Sequence, residues 1–279
     1  NKLKKLIKFY DLDGYVIPKN DEFFSEYAFP NRLKSISNFN GSAGFALILK
    51  KENYLFVDGR YTTQAKIQSG KNFKILEIPN FFPYNILEKL KKKIKIGFDP
   101  KIFTNLVLLK YFKNTSNLIP INNNLIDEIS KKNKIRKINS FYNLSHKITG
   151  ETTKSKINRL LKILKKKKID NIFISAPENV AWLLNLRGKD NPNSPIPNCR
   201  LILTKNKKIY LFADLKKIKK IKKFFENKNF KFLKFSEFYF ILNQLTNKKF
   251  CIDQSSCSIF YESLISSKFE IKSFIDPCY

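Results

Sequence analysis

Histidine is almost absent from this sequence, and its scarcity limits the chemistry that the chain can perform. The single histidine, His146, lies in a stretch of polar residues. The sequence has no His-x-x-x-His pair and no paired-glutamate motif, so it lacks both the motifs typical of metal sites and the further imidazoles that metallohydrolases use to transfer protons. We therefore expect no catalytic residue and no metal site in this chain.

Long apolar runs are also lacking. No run approaches the ~20 residues of a membrane-spanning helix, and the N-terminus has no apolar segment typical of a signal peptide. We therefore expect no membrane association and a cytoplasmic location. The sequence begins with Asn1 rather than methionine, and we expect it to be part of a longer chain.

Cysteine is infrequent, and its spacing argues against two further kinds of site. The four cysteines are Cys199, Cys251, Cys257 and Cys278. None belongs to a Cys-x-x-Cys pair and none lies near the histidine, which argues against a zinc site and against a disulfide framework. We expect reduced thiols, most of them buried.

Acidic residues are outnumbered, with 54 Lys and Arg against 23 Asp and Glu and a formal charge of +31. Such a charge is typical of nucleic-acid-binding proteins. The lysines are spread along the chain among many Asn, Ile and Phe residues, however, which favours a biased genome composition. Arginines are few, and no glycine-arginine or aromatic RNA-binding motif is present. We expect no nucleic-acid partner, and a basic nucleic-acid-associated protein remains the less favoured alternative.

The most informative stretch runs from Asn40 to Tyr61. A glycine turn, Asn-Gly-Ser-Ala-Gly at 40–44, precedes an apolar run at 45–49 and a second strand at 54–58. Glycine allows the sharp entry into the first strand, and five consecutive apolar residues indicate a strand that is covered on both faces. The second strand leads into Asp-Gly-Arg-Tyr at 58–61, which places Arg60 just beyond a buried strand.

The glycine turn does not fit two familiar catalytic or cofactor motifs. Ser42 is not part of a Gly-x-Ser-x-Gly nucleophile motif, and no base is evident near it. The two glycines, Gly41 and Gly44, do not form a Gly-x-Gly-x-x-Gly dinucleotide-binding loop. We expect the Ser42 hydroxyl to bond the backbone of its own turn.

Strands and helices alternate along the first half of the chain, and the same order recurs about 150 residues later. The matching segments are 13–17 and 170–174, 33–41 and 180–188, 45–58 and 200–214, 73–76 and 230–233, and 96–99 and 250–253. Three aspartates recur at matching places: Asp13 and Asp170, Asp58 and Asp214, Asp99 and Asp253. The sequence therefore predicts an α/β protein with two divergent copies of one domain, each a mixed β-sheet flanked by helices.

The region between the copies is rich in Asn, Lys and Ser. Residues 122–150 are predicted to connect the two domains. Thr152 and Thr153 are then expected to cap a long amphipathic helix at 154–168. The predicted domains are residues 1–137 and 138–279.

Three segments carry a resemblance to a known family. They are Gly-Ser-Ala-Gly at 41–44 followed by Val-Asp-Gly-Arg-Tyr at 57–61, Ile-Pro-Lys-Asn-Asp-Glu at 17–22 with Ser-Glu-Tyr at 25–27, and Ala-Trp-Leu-Leu-Asn-Leu-Arg-Gly-Lys-Asp at 181–190. Together they resemble the two N-terminal domains of aminopeptidase P, the Xaa-Pro aminopeptidases of the creatinase/prolidase superfamily. The resemblance covers nearly the whole chain but only the front half of the family's long, three-domain form.

The resemblance implies two tandem creatinase/prolidase N-terminal-like domains without the C-terminal pita-bread catalytic domain. In the complete enzyme it implies a metallopeptidase that removes the N-terminal residue preceding proline, with two manganese-type divalent metal ions in the missing domain. This segment would then shape the substrate entrance and form a homodimer, and we expect it to be inactive alone. The alternative is a free-standing, inactive peptide-binding or regulatory module.

By resemblance, Arg60 is the residue that the first domain offers to bound peptide, because an arginine fork can grip a carboxylate or a peptide carbonyl. A local ion pair with Asp58 is the competing interpretation. The resemblance also places Arg187 on a loop that faces the catalytic domain, where an inter-domain ion pair is the favoured role. Trp182 is expected to be a core residue of its helix.

Overall fold

The computed structural model describes residues 2–130, 138–225, 228–246 and 248–278. The chain divides into two compact units, residues 1–134 and 135–279, which we call domain 1 and domain 2. The predicted boundary at residue 137 lies outside the described residues. None of the helices in the described ranges is long and apolar enough to cross a membrane.

Domain 1 is a six-stranded mixed sheet flanked by helices. Its strands are β1 Gly14–Pro18, β2 Phe45–Leu49, β3 Asn53–Asp58, β4 Lys74–Ile78, β5 Lys95–Phe98 and β6 Asn117–Pro120. Its helices are α1 Lys2–Phe9, α2 Arg32–Ser37, α3 Thr62–Ser69, α4 Pro83–Leu87, α5 Asn105–Phe112 and α6 Leu125–Ile129. The order across the sheet is β4-β3-β2-β1-β5-β6. Strand β2 pairs antiparallel with both neighbours, and the other pairs are parallel.

Domain 2 repeats this sheet. Its strands are β7 Tyr142–Asn143, β8 Asn171–Ile174, β9 Leu186–Arg187, β10 Arg200–Thr204, β11 Ile209–Phe212, β12 Phe230–Leu233, β13 Lys249–Ile252 and β14 Glu270–Ser273. Its helices are α7 His146–Thr149, α8 Thr153–Lys166, α9 Pro177–Leu184, α10 Phe238–Gln244 and α11 Ile259–Ser266. The large sheet has the order β12-β11-β10-β8-β13-β14, and β7 and β9 form a separate two-stranded sheet. The hairpin at 200–212 thus occupies the same two sheet positions as the hairpin at 45–58, which confirms the predicted duplication.

The central strands are apolar on both faces because helices cover both sides of the sheet. In β8, Ile172 and Ile174 belong to one hydrophobic cluster and Phe173 to another on the opposite face. In domain 1, Phe45 of β2 is fully buried and stacks on Phe56 of β3, with ring centroids 4.6 Å apart. This arrangement confirms that the apolar run at 45–49 is a strand covered on both faces.

The repeated aspartates make the same hydrogen bonds in both domains. Asp13 accepts the Lys95 backbone N–H at 3.0 Å and the Lys50 ammonium at 2.6 Å. Asp170 accepts the Lys249 N–H at 3.0 Å and the Lys205 ammonium at 2.6 Å. Each carboxylate therefore connects the start of its first sheet strand to the fifth strand and to the turn of the hairpin.

The same equivalence holds at the ends of other strands. Asp99 accepts the N–H two residues ahead at 2.9 Å and the Asn124 amide at 2.8 Å. Asp253 accepts the N–H two residues ahead at 2.8 Å and the Asp276 N–H at 2.9 Å. The carboxylate after the fifth strand thus holds the segment that follows the sixth strand in both copies.

The predicted connection at 122–150 is too long, because its first part belongs to domain 1. Residues 125–129 form helix α6, whose Leu125 and Ile126 are buried in the core of domain 1. The Asn124 side chain caps this helix by accepting the Ile126 N–H at 3.0 Å. The helix is only five residues long and is preceded by three asparagines, so its apolar face has too few members to give a periodic pattern.

Two predictions for domain 2 can be compared with its helices. Helix α8 is capped by Thr152, whose hydroxyl accepts the Ser155 N–H at 3.2 Å, as predicted. The repeat of 33–41 at 180–188 is visible in the helix ends, because Asn38 after α2 and Asn185 after α9 are both left-handed, with φ of 64° and 53°. Beyond that residue the copies differ, since residues 186–187 form β9.

Candidate substrate-binding site

The glycine turn at 40–44 is a tightly packed entry to β2. A Cβ at Gly41 would lie 2.2 Å from Cζ of the buried Phe39, and Gly44 has φ of +145° with its Cβ position 2.7 Å from the Phe56 carbonyl oxygen. Asn40 ties this turn to helix α3, because its side-chain oxygen accepts the Gln68 amide at 2.9 Å. The turn is therefore held in place by its own packing and by a neighbouring helix.

Arg60 lies in the short 3₁₀ turn, Gly59–Tyr61, that follows β3. The Asp58 carboxylate caps this turn by accepting the Arg60 backbone N–H at 3.0 Å. The same carboxylate binds the guanidinium in a bidentate manner, through Nε at 3.1 Å and Nη2 at 2.7 Å. The hydrogen bonds between the two side chains lower the pKa of Asp58 and raise the pKa of Arg60, so both groups are charged at neutral pH.

The Arg60 guanidinium is also strongly exposed, since 75% of the side chain is accessible, against 27% for Asp58. The ion pair predicted as the competing interpretation is therefore present, but it leaves the arginine at the surface. A guanidinium has five N–H donors, and Asp58 occupies one at Nε and one at Nη2. The remaining donors can bind a carbonyl or carboxylate oxygen of a ligand, with Asp58 fixing the orientation of the fork.

Tyr61 connects the arginine turn to the glycine turn. Its hydroxyl lies 2.7 Å from Ser42 Oγ, its ring meets Phe39 edge-on at 5.9 Å, and the Arg60 guanidinium lies 5.4 Å from its ring centroid. The expected bond from Ser42 to its own turn is thus replaced by a bond to Tyr61. The β2–β3 hairpin brings the two halves of the sequence motif together, and sequence reasoning missed this contact because the residues are separated by a hairpin.

The loop after β1, the second segment of the resemblance, is organised by a buried carboxylate. Asp21 is 5% exposed and accepts the backbone N–H groups of Phe23 at 2.9 Å and Ser25 at 3.2 Å. Lys19 is 8% exposed, and burial lowers its pKa although Asp21 and Glu26 act in the opposite direction. Glu26 also favours the charged form of Arg60, so Lys19 and Glu26 belong to the electrostatic surroundings of the candidate site.

The second copy retains the carboxylate but not the arginine. Asp214 accepts the Lys216 backbone N–H at 2.9 Å, as Asp58 accepts that of Arg60. Lys216 therefore stands in the place of Arg60 and Lys217 in the place of Tyr61. Lys217 forms an ion pair with the buried Asp190. At this position, the exposed arginine fork is therefore present in domain 1 and absent from domain 2.

The third segment of the resemblance lies in domain 2 and contains Arg187 and Trp182. Arg187 pairs with Tyr142 in the β7–β9 sheet and donates from Nη1 to the Leu186 carbonyl at 2.7 Å. Trp182 is 36% exposed, so its assignment to the core is wrong. Helix α9 buries its opposite face, and the indole lies beside cations of α8, with Lys156 Nζ 4.3 Å from the ring centroid. The inter-domain role predicted for Arg187 stays a prediction.

Among the residues that the structure describes, the other reactive side chains are not grouped into a metal site. His146 is exposed at the start of α7. All four cysteines are free and buried, as predicted, and burial raises the pKa of Cys251 to about 12. Within the described ranges, no three His, Cys, Asp or Glu side chains are grouped so that they could hold a metal ion.

Comparisons with known proteins agree with the duplicated fold. The family model of the creatinase/prolidase N-terminal domain matches residues 1–129, and a second model of the same description matches residues 132–279. A probable Xaa-Pro aminopeptidase P of Laccaria bicolor is 33% identical over 76% of this chain and 35% of its own length. A protein of the same description from Coprinopsis cinerea is 30% identical over 87% of this chain and 41% of its own length.

Among solved structures, the X-prolyl aminopeptidase of Caenorhabditis elegans, described as a cytosolic enzyme with a di-nuclear active site, matches 98% of this chain. The TM-score is 0.86 at 25% identity, and the match covers 49% of that enzyme's chain. The present chain thus spans half or less of the length of each of these relatives. Its two halves, each matched by a family model, show that it belongs to the creatinase/prolidase N-terminal domain family.

Proposed function

We propose that this chain is the non-catalytic N-terminal portion of an Xaa-Pro aminopeptidase, in which it shapes the substrate entrance and contributes to a homodimer. The observation that carries the proposal is the match of both halves to N-terminal domain models, together with relatives described as Xaa-Pro aminopeptidases. The complete protein would release the N-terminal residue that precedes proline in a peptide, in the cytoplasm.

The metal centre belongs elsewhere in this proposal. The nematode enzyme is described as having a di-nuclear active site, but the described residues of this chain do not fit such a centre because they contain no grouped ligand set. We therefore propose that two divalent ions of the manganese type are bound by a further, C-terminal domain of the complete protein. The role left to this chain is to position peptide and partner subunits.

Arg60 is the residue proposed to bind peptide. Its guanidinium is exposed, oriented by Asp58 and supported by Tyr61. An arginine held in this way loses less side-chain freedom when it binds an oxygen than a freely rotating lysine would. The absence of the equivalent arginine from domain 2 offers Lys216 as an internal control.

A free-standing peptide-binding module is the second candidate. The observation that favours it is that each domain has its own six-stranded sheet and its own hydrophobic core. Such a module would use the same Arg60 surface without any attached catalysis.

A chimera separates the two candidates. Residues 1–279 replace the matching segment of the Laccaria bicolor relative, and the release of the first residue from an Xaa-Pro peptide is measured with added manganese. The first proposal predicts turnover by the chimera and none by the 279-residue chain. Turnover by the chain alone contradicts both candidates, whereas a folded but inactive chimera, with peptide binding retained by the chain, supports the free-standing module.

A further inference from the structure

A lysine-lined surface cavity lies in domain 2, whereas the candidate substrate site is formed by residues of domain 1. It has a volume of about 810 Å³ and lies between one face of α8 and the turn of the β10–β11 hairpin. Five lysines and a single carboxylate line it: Lys162, Lys165, Lys168, Lys205, Lys207 and Asp170. Lys162 and Lys165 are neighbours on one helix face because they are three positions apart.

The carboxylate does not neutralise this cavity. Asp170 is already bound by the Lys205 ammonium at 2.6 Å and by the Lys249 N–H at 3.0 Å. Partial burial would raise its pKa, but these hydrogen bonds lower it, so the group is ionised and occupied. The other four lysines form no salt bridge between described residues, and the Lys207 ammonium contacts only the Asn158 amide oxygen, at 3.4 Å. The lining therefore carries four exposed lysines whose charge the carboxylate does not balance.

The equivalent place in domain 1 has a different charge. Asp11 precedes Asp13 by two residues, as Lys168 precedes Asp170. Both Asp11 and Lys168 are left-handed, with φ of 51° and 54°, and each donates its N–H to the carbonyl three residues earlier at 3.1 Å. Lys168 therefore occupies the position of an acid, and Asp11 in the first copy is paired with Lys95 at 2.5 Å.

The hairpin turns of the two domains also differ in charge, and the second is again the more positive. The first turn contains Glu52, which is paired with Lys74 at 2.5 Å. The second turn, Lys-Asn-Lys-Lys at 205–208, is one residue longer and contains no acid. Both turns contain lysines, with Lys50 and Lys51 in the first, so the copies differ here by the acids that only the first copy has.

We propose that this cavity of domain 2 binds a small polyanion that carries two or three phosphate groups. A cleft lined by charges of one sign focuses the electrostatic field and concentrates a counter-ion, and a multivalent anion can contact several of the lysines at once. Lysine acts as a point charge and suits phosphate oxygens, whereas planar carboxylates favour arginine forks. The described lining residues include neither an arginine nor an aromatic ring on which a nucleic-acid base could stack. The volume is within the range of small-ligand sites.

Calorimetric titration of the full 279-residue chain with inorganic tripolyphosphate tests this assignment. The variant Lys168→Asp/Lys207→Glu gives the cavity acids like those of the first copy, and Asp11 shows that aspartate is accommodated in that backbone conformation. The matched control is Lys91→Glu/Lys93→Glu, which changes the net charge equally at exposed residues of domain 1. We expect saturable binding at one site that weakens with added salt, at least tenfold loss in the cavity variant and less than twofold loss in the control.

Equal losses in the two variants, or no saturation, would show that only the net charge attracts the anion and would overturn the proposal. Tighter binding of a glutamate-rich peptide or of a single-stranded oligonucleotide than of tripolyphosphate at this cavity would overturn the ligand class. If the charge-reversed variant does not fold, Lys165→Gln/Lys207→Gln provides the same comparison without new acids. The outcome is independent of peptidase activity.

Discussion

Arg32 of α2 and Asp127 of α6 form an ion pair in domain 1. Removing the aspartate is predicted to destabilise the domain much more than removing the arginine. Nε donates to Oδ1 at 2.9 Å and Nη2 to Oδ2 at 2.7 Å. The arginine side chain is 6% exposed, whereas the aspartate is 42% exposed. Burial would lower the pKa of Arg32, but its hydrogen bonds to Asp127 raise the pKa above its ordinary value. The guanidinium therefore remains charged inside the domain.

Asp127→Ala removes the main partner of a buried cation. Breaking a buried pair in this way costs about 3–5 kcal/mol, and we expect the lower end because Asp99 and Glu22 also favour the charged arginine. Arg32→Met leaves a carboxylate that water can reach and retains the apolar stem, so it should cost about 1 kcal/mol. The double variant should resemble Arg32→Met, because no buried charge remains in it.

Urea unfolding combined with amide hydrogen exchange measures these costs by domain. Peptides from β1 to β6 report domain 1, and fluorescence of the only tryptophan, Trp182, reports domain 2. Equal destabilisation by Arg32→Met and Asp127→Ala, or a cost of Asp127→Ala below about 1 kcal/mol, would refute the argument that the guanidinium is the buried partner.

Three further predictions concern packing, thiols and acid stability. Gly41→Ala should destabilise the chain by about 1–3 kcal/mol in thermal unfolding, because its Cβ would overlap Phe39, whereas an unchanged Tm would contradict the packing of this turn. The four cysteines should resist a thiol reagent at pH 8 until urea is added, because burial raises their pKa values, and labelling of the native chain would count against this. Hydrogen bonds lower the pKa values of Asp13 and Asp170 below that of an unfolded aspartate despite partial burial; their stabilisation is therefore complete above roughly pH 5 and is lost as the pH falls below about 4. Asp13→Asn/Asp170→Asn should reduce this loss of unfolding free energy at low pH, as measured by urea unfolding. An unchanged pH dependence would contradict the prediction.

The order of strands and helices along the chain and the duplication could be predicted from the sequence because they depend on local patterns. The aspartates at 13, 58 and 99 recur with their strands, and each makes the same backbone hydrogen bonds in the second copy. Apolar runs of three to five residues between polar residues were sufficient to place the central strands.

Contacts between separated segments could not be predicted in this way. Helix α6 is too short to show a period, and its place in domain 1 is shown by its buried apolar side chains and by the pairing of Asp127 with Arg32. Trp182 was assigned to the core on its residue type, but the opposite face of α9 is the buried one. The bond between Ser42 and Tyr61 depends on the hairpin geometry. The lysine cavity is formed by α8 and the β10–β11 turn, which are separated in the sequence.

The most direct test of the account is the steady-state kinetics of Arg60→Ala in the chimera with the Laccaria bicolor relative. Losing a charge-assisted contact with substrate should reduce kcat/KM roughly ten- to hundred-fold, while the matched Lys216→Ala variant should stay within about twofold of the parent. The folded state and the oligomeric state of both variants should equal those of the parent chimera. Unchanged kcat/KM in Arg60→Ala, or equal losses in the two variants, would contradict the proposal that the first domain offers Arg60 to bound peptide.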